Sequence, residues 1–120
     1  MANVQILYGD LYLLKGNEND PDDKKRPVLI VSRDTLNGGN SVLAIPFYSQ
    51  QLEKRRNQPW CDFFTKEEGG LSKDCVAKTD ELTTLDKTEL DLVRGKIGKF
   101  KPPQMERVLN AVKYTLRITT

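Results

Sequence analysis

The chain has 120 residues with 30% charged and 38% hydrophobic side chains, 19 basic against 17 acidic, and a mean hydropathy of -0.57. That length suits one core, hence one domain over residues 1–120, and no apolar run approaches the ~18 residues needed to span a bilayer. With no histidine and only Cys61 and Cys75, the Ser-His-Asp and Cys-His catalytic designs, His-based metal sites and a thiolate zinc site are excluded, so no metal or cofactor is expected.

The start MANVQILYGD lacks the basic residues and long apolar stretch of a secretory signal, so a cytoplasmic protein with no membrane partner is expected. Leu7–Lys15, rich in Leu and Tyr, predicts a first strand ending at Gly16. Asn17–Asp23 is polar, acidic and contains Pro21, which marks a loop. Lys24, Lys25 and Arg26 lead into Pro27–Val31, a β-branched run that predicts a buried strand with proline tolerated at its start. Asn37-Gly38-Gly39-Asn40 signals a turn before a third strand over Val42–Tyr48, where Pro46 predicts irregular backbone.

Gln51–Pro59 is polar and basic. Trp60–Thr65 and Asp74–Thr79 predict the fourth and fifth strands, with a turn over Lys66–Gly70, and Asp86–Leu90 predicts one helical turn. Val93–Phe100 predicts a sixth strand with Arg94 and Lys96 on one face and Val93 and Ile97 on the other. Pro102 and Pro103 open the one clear helix, whose Met105, Val108, Leu109, Val112 and Leu116 make an apolar face suited to the core. The strands are too closely spaced for the crossover helices of a parallel sheet, so the predicted fold is a small antiparallel β-barrel closed by a C-terminal helix. Cys61 and Cys75 are read as buried thiols, with a disulfide between them as the alternative.

Charge is unevenly distributed. Residues 1–86 carry 11 basic and 14 acidic side chains, and residues 87–120 carry 8 and 3. A basic C-terminal part permits contact with a polyanion. The residue types left to the chain suit one reaction well, the cleavage of RNA by its own 2′-hydroxyl. The protein then deprotonates that hydroxyl, stabilises the phosphorane and protonates the leaving 5′-oxygen. Arginine matches phosphate oxygens with its planar fork, and a carboxylate or hydroxyl can orient or deprotonate the nucleophile.

Four blocks then resemble the MazF/PemK family of toxins from toxin–antitoxin systems: YGDLYLL at 8–14, KRPVLIVSRD at 25–34, GLSKDCVAKTDELTTLDKTEL at 70–90, and the closing helix after Lys101. The resemblance implies an SH3-like β-barrel with a C-terminal helix, usually a homodimer. It implies a metal-independent, sequence-specific endoribonuclease that cuts single-stranded RNA and leaves a 2′,3′-cyclic phosphate. It also implies a cognate antitoxin whose acidic disordered tail fills the RNA groove. Arg26 falls where the family's catalytic arginine precedes Pro-Val-Leu, in a role of charge stabilisation. Counting forward from Arg26 without a gap places Ser49 where many members carry a catalytic threonine; a strand-end serine is the plain reading.

Lys78 and Asp80 fall where some members carry an Arg-x-Asp pair, as phosphate contact and base, or else as a surface ion pair. Gly9 and Asp10 are read as structural. Lys24 and Lys25, together with Lys54, Arg55 and Arg56 followed by Trp60, are the candidate RNA contacts; a solvated loop and a core tryptophan is the rival reading of the second group. Arg94, Lys96, Lys99 and Lys101 form a further basic set. The chain departs from the family in its acidic Asn17–Asp23 loop, read as a gate or as a solvated loop, in Thr83, which replaces a frequent arginine, and in lacking a histidine. The rival functions are a CcdB-like gyrase inhibitor, disfavoured by the Leu116–Thr120 ending, and a non-catalytic member that only binds RNA or antitoxin.

Overall fold

The structure is a computed structural model and describes residues 5–16 and 25–119. The acidic Asn17–Asp23 loop and Lys24 lie outside the described residues. Seven antiparallel strands form one curled sheet: β1 (Asp10–Leu13), β2 (Pro27–Ile30), β3 (Ser41–Tyr48), β4 (Cys61–Phe64), β5 (Cys75–Lys78), β6 (Thr83–Asp86) and β7 (Gly98–Lys99). The order is β4-β5-β3-β2-β1-β7, with β6 also paired to β3. A short helix α1 (Leu52–Arg55) and a long one, α2 (Pro102–Leu116), complete the half-barrel. No helix among the described residues is long and apolar enough to cross a membrane.

The unbroken apolar run of β2 reflects burial on both faces of the sheet. Leu29 joins Leu11, Ile45, Phe64 and Phe100 on one face, where Met105 and Val108 of α2 cover them. Val28 and Ile30 join Tyr12, Val42, Ala44 and Leu90 on the other. Phe64 lies 4.6 Å from Phe100 and Phe47 5.8 Å from it, ring centre to ring centre. The buried stripe of α2 is Met105, Val108 and Ala111, with Val112 packed against the core; Leu116, predicted on that face, is exposed.

Strand β3 changes partner along one edge. Ser41–Ala44 pair with β6, whereas Phe47 and Tyr48 pair with β5. Pro46, which has no N–H to give, sits at this change; the strand is nevertheless continuous, with Pro46 in register opposite Val28, rather than irregular as expected. The first strand is shorter than Leu7–Lys15 because Gly9 takes φ +90° and the Tyr8 N–H turns to the Asp34 carboxylate at 2.7 Å. Asp10, fully buried, accepts the Leu7 N–H at 3.0 Å, which fits its reading as a turn anchor. The helical turn of 86–90 is a 3-10 turn over Lys87–Glu89, boxed by Asp86 and Glu89.

The later part of the chain departs from the sequence reading. The sixth strand does not run over Val93–Phe100. The Asp91 carboxylate accepts the Arg94 N–H at 3.1 Å, the Gly95 N–H bonds the Asp91 carbonyl and Gly95 takes φ +82°, so the chain turns and only Gly98–Lys99 pairs. Val93 is 98% exposed and shares no buried face with Ile97. Thr83–Asp86, not predicted as a strand, pairs with β3, and Leu52–Arg55 inside the polar stretch is helical. Cys61 and Cys75 are buried free thiols at opposite ends of the β4–β5 hairpin, and burial raises both above the ordinary thiol range.

The sheet closes at a seam. The turn Glu68–Gly70 that follows β4 meets the chain entering β7 so closely that a Cβ on Gly98 would lie 2.1 Å from the Gly69 carbonyl oxygen. A Cβ on Gly70, at φ +82°, would lie 1.9 Å from the Ile97 carbonyl oxygen. Glycine is required at both positions.

Candidate active site

The entry to β2 and the end of β3 are neighbours because Val28 pairs with Pro46. That register brings Arg26 and Ser49, 23 residues apart in sequence, to one pocket of about 250 Å³. Lys25, Tyr48, Lys73 and Arg94 also line it, and no carboxylate does among the described residues. A pocket lined by four cations and no acid attracts an anion of phosphate size. The Lys25 ammonium is partly neutralised by Asp91 at 3.0 Å. Ser49 is exposed and lines the pocket.

Tyr48 links this pocket to the Lys78–Glu81 segment. The Arg26 guanidinium lies over the Tyr48 ring at 4.0 Å, Arg55 at 4.7 Å and the Lys78 ammonium at 5.2 Å. The Tyr48 hydroxyl donates to the Glu81 carboxylate. Burial, and then this hydrogen bond, raise the tyrosine above its ordinary value, against the lowering charges of Arg26 and Lys78, so the hydroxyl stays protonated.

Lys78, half-buried at the end of β5, donates to Glu81 at 2.6 Å and lies 3.8 Å from Asp80. The bond to Glu81 holds its pKa above the usual lysine range, against burial. Burial would raise the Glu81 carboxyl, but the hydrogen bonds from Lys78 and Tyr48 and the charges of Lys78 and Arg26 outweigh it, and its pKa lies below the ordinary value. Asp80 is exposed at the end of the cluster, paired only at 3.8 Å with Lys78 and accepting no hydrogen bond among the described residues.

The structure brings Arg26, Lys25 and Ser49 together at one pocket and places Lys78 and Arg55 at the Tyr48 ring, with Asp80 beside Lys78. It separates the others. Lys54 is exposed on α1, Arg56 covers Phe63 at 4.0 Å, and Trp60 stacks on Tyr114 of α2 at 6.5 Å rather than beside the basic run. The second basic set divides too: Arg94 faces the pocket, whereas Lys96 and Lys99 lie 3.9 Å and 3.8 Å from the buried Asp10. Sequence reasoning missed Tyr48, Lys73 and Glu81. Glu81 carried a signal, a carboxylate three residues after Lys78 in a turn.

A half-barrel of this topology with a cationic pocket at the open ends of β2 and β3 defines a class of fold shared with bacterial toxins. It is similar to a mycobacterial endoribonuclease solved in complex with its cognate antitoxin, with 23% identity, a TM-score of 0.73 and coverage of 96% of this chain and 98% of the other. It is similar to MazF of a MazE–MazF complex from Deinococcus radiodurans, with 17% identity, a TM-score of 0.72 and coverage of 98% and 100%. The Mycobacterium tuberculosis toxin MazF-mt6 matches at 18% identity and a TM-score of 0.69, with coverage of 91% and 99%. At these identities the likeness is one of fold. No curated protein matches in sequence. The family model of the PemK-like, MazF-like toxins of type II toxin–antitoxin systems matches residues 7–116, and the chain belongs to that family.

Proposed function

We propose that the protein is a metal-independent, sequence-specific endoribonuclease that cleaves single-stranded RNA through attack of the 2′-hydroxyl, leaving a 2′,3′-cyclic phosphate and a free 5′-hydroxyl. The observation that carries this reading is the pocket holding Arg26 and Ser49, lined by four cations and by no carboxylate among the described residues. A scissile phosphate in that pocket meets the Arg26 guanidinium, whose paired N–H donors suit the equatorial oxygens of the phosphorane. The Ser49 hydroxyl orients the phosphate by a hydrogen bond. Asp80, the carboxylate beside Lys78, takes the 2′-proton as the P–O2′ bond forms and the P–O5′ bond breaks; the leaving 5′-oxygen takes its proton from water, and Lys78 holds Asp80 and offers charge to the RNA. Arg94, Lys73 and Lys25 contact flanking phosphates, with Lys24 and Lys54–Arg56 as outer contacts of the strand.

As partners the family supports an antitoxin, and the pocket suits one with an acidic, disordered tail, whose carboxylates occupy the same cationic surface as RNA. The working form is a homodimer in the cytoplasm. The experiment is incubation of the purified protein with a long single-stranded RNA in excess EDTA, with end mapping. Discrete cuts with cyclic-phosphate ends are expected, and Arg26→Ala is expected to lower the rate by about 10³ or more. Intact RNA across several substrates removes the nuclease reading in favour of a binding protein.

A further inference from the structure

We propose that Tyr48 is a positioning residue, a ring platform that sets the Arg26 guanidinium at the pocket while leaving its N–H donors free, with Glu81 as the latch that fixes the ring. The inference rests on the nuclease reading of Arg26 and deepens it. An arginine at a phosphate site must be held still, and the usual holder, a carboxylate, consumes the donors the substrate needs. Among the described residues no carboxylate lies within ion-pair distance of Arg26; what its guanidinium touches is the face of Tyr48 at 4.0 Å. A cation over a ring face is held by the ring's quadrupole through its own flat face, so the edge that carries the donors stays open. Arg55 leans on the same ring at 4.7 Å and donates to the Gln50 carbonyl at 3.2 Å, which ties α1 to the end of β3.

The ring itself is fixed at two points. Its backbone pairs with Val76 of β5, and its hydroxyl donates to Glu81, which Lys78 grips at 2.6 Å. The latch therefore joins the pocket to the Lys78–Asp80 side through one side chain. Arg26 on the ring and Lys78, which lies 5.2 Å from the same ring and 3.8 Å from Asp80, are thus referred to one side chain.

The test compares wild type, Tyr48→Phe, Tyr48→Leu, Arg26→Ala and the double variant Arg26→Ala/Tyr48→Leu. Single-turnover cleavage of the long RNA is measured with protein in excess, RNA affinity separately by filter binding, and the mobility of Arg26 by the NMR signal of its Nε–H group. Tyr48→Phe keeps the ring but loses the bond to Glu81, and is expected to slow cleavage about fivefold, between wild type and Tyr48→Leu, with the Arg26 Nε–H group partly mobile; a wild-type rate and signal overturn the latch. Tyr48→Leu is expected to cut the rate about 10–100-fold, the scale of a misplaced catalytic group, with RNA affinity changed less than about threefold. The Arg26 Nε–H group becomes mobile in that variant, and the double variant is no slower than Arg26→Ala alone. If Tyr48→Leu does not fold, Tyr48→Met replaces it.

Wild-type rate and an unchanged Arg26 signal in Tyr48→Leu, beside an inactive Arg26→Ala, overturn the platform and leave the nuclease reading standing. A fully active Arg26→Ala overturns the nuclease role of Arg26 instead. If wild type leaves RNA intact, the NMR signal alone decides whether Tyr48 holds Arg26.

Discussion

Two regions of the molecule stack an arginine on an aromatic ring, and they use it in opposite ways. At the seam, Arg107 of α2 lies over Phe64 at 4.3 Å, reaches Asp62 at 3.2 Å and Glu68 at 3.7 Å, and donates to the Phe63 carbonyl. Glu68 in turn accepts the Thr65 N–H at 2.7 Å and the Gln104 amide at 3.2 Å. Burial would raise the Glu68 carboxyl, but these bonds and the Arg107 charge hold it below its ordinary value. Every strong group there is spent on closing the sheet. At the pocket, Arg26 sits over Tyr48 at 4.0 Å and has no carboxylate among the described residues. A stacked, saturated arginine is a structural clamp, and a stacked, unsaturated one is a group kept ready for an anion.

The largest effect that separates the regions is on activity. Arg26→Ala is expected to remove about 10³ or more of the cleavage rate and to move the denaturation midpoint little, since what this half-buried arginine loses is its stacking on Tyr48, worth about 0.5–1 kcal/mol. Equal losses of rate and stability would show that Arg26 also closes the fold. The next largest is on stability at the seam. Gly98→Ala puts a methyl group 2.1 Å from a carbonyl oxygen that belongs to backbone and has no rotamer to move to. It is expected to cost about 2–3 kcal/mol in urea unfolding, at the upper end of overpacking effects. Arg107→Ala follows, at about 1–2 kcal/mol for a half-exposed arginine with charged hydrogen bonds, and with the cleavage rate within about twofold of wild type.

The two regions were not equally legible in the sequence. Pro27–Val31, Val42–Tyr48 and the α2 stripe were readable because burial on both faces, or on one helical face, writes itself as apolar residues at fixed spacing. β6 was not, because Thr83, Thr84 and Asp86 are exposed and only Leu85 is half-buried. Its strand state comes from the edge of β3 rather than from its own side chains. Val93–Phe100 misled because alternation suggested a strand where the Asp91 carboxylate imposes a turn. In the pocket, the meeting of Arg26 with Ser49 was accessible from the family-like blocks. The role of Tyr48 was not, because it depends on side chains 22 residues before it and 33 after it that only the sheet brings together. Trp60 shows what sequence adjacency leaves out: the ring that follows the basic run stacks on Tyr114 of α2, a contact only the fold supplies.

The smallest effect belongs to the Tyr48–Glu81 latch beside the pocket, and pH isolates it. The Glu81 carboxyl is depressed below its ordinary value of 4.5, so the folded state binds its proton less readily than the unfolded chain. Its contribution to stability is complete above the unfolded value and is lost as pH falls through the folded one. Lys78 behaves oppositely. Its pKa is raised above 10.5, so its contribution is complete below that value and is lost as pH rises through the raised one. The pair is therefore intact across the neutral range and fails first on the acid side. For side chains this exposed the whole contribution is ~0.2–1 kcal/mol. Urea midpoints of wild type and Glu81→Gln, measured from pH 7 to pH 3, are expected to differ by a constant amount near neutrality and to converge below pH 4.5 as Glu81 takes up its proton. A difference that stays constant to pH 3 would mean that the Glu81 charge does not hold the latch. The hydrogen bond from Tyr48 alone, which glutamine can still accept, would then be what fixes the ring beneath Arg26.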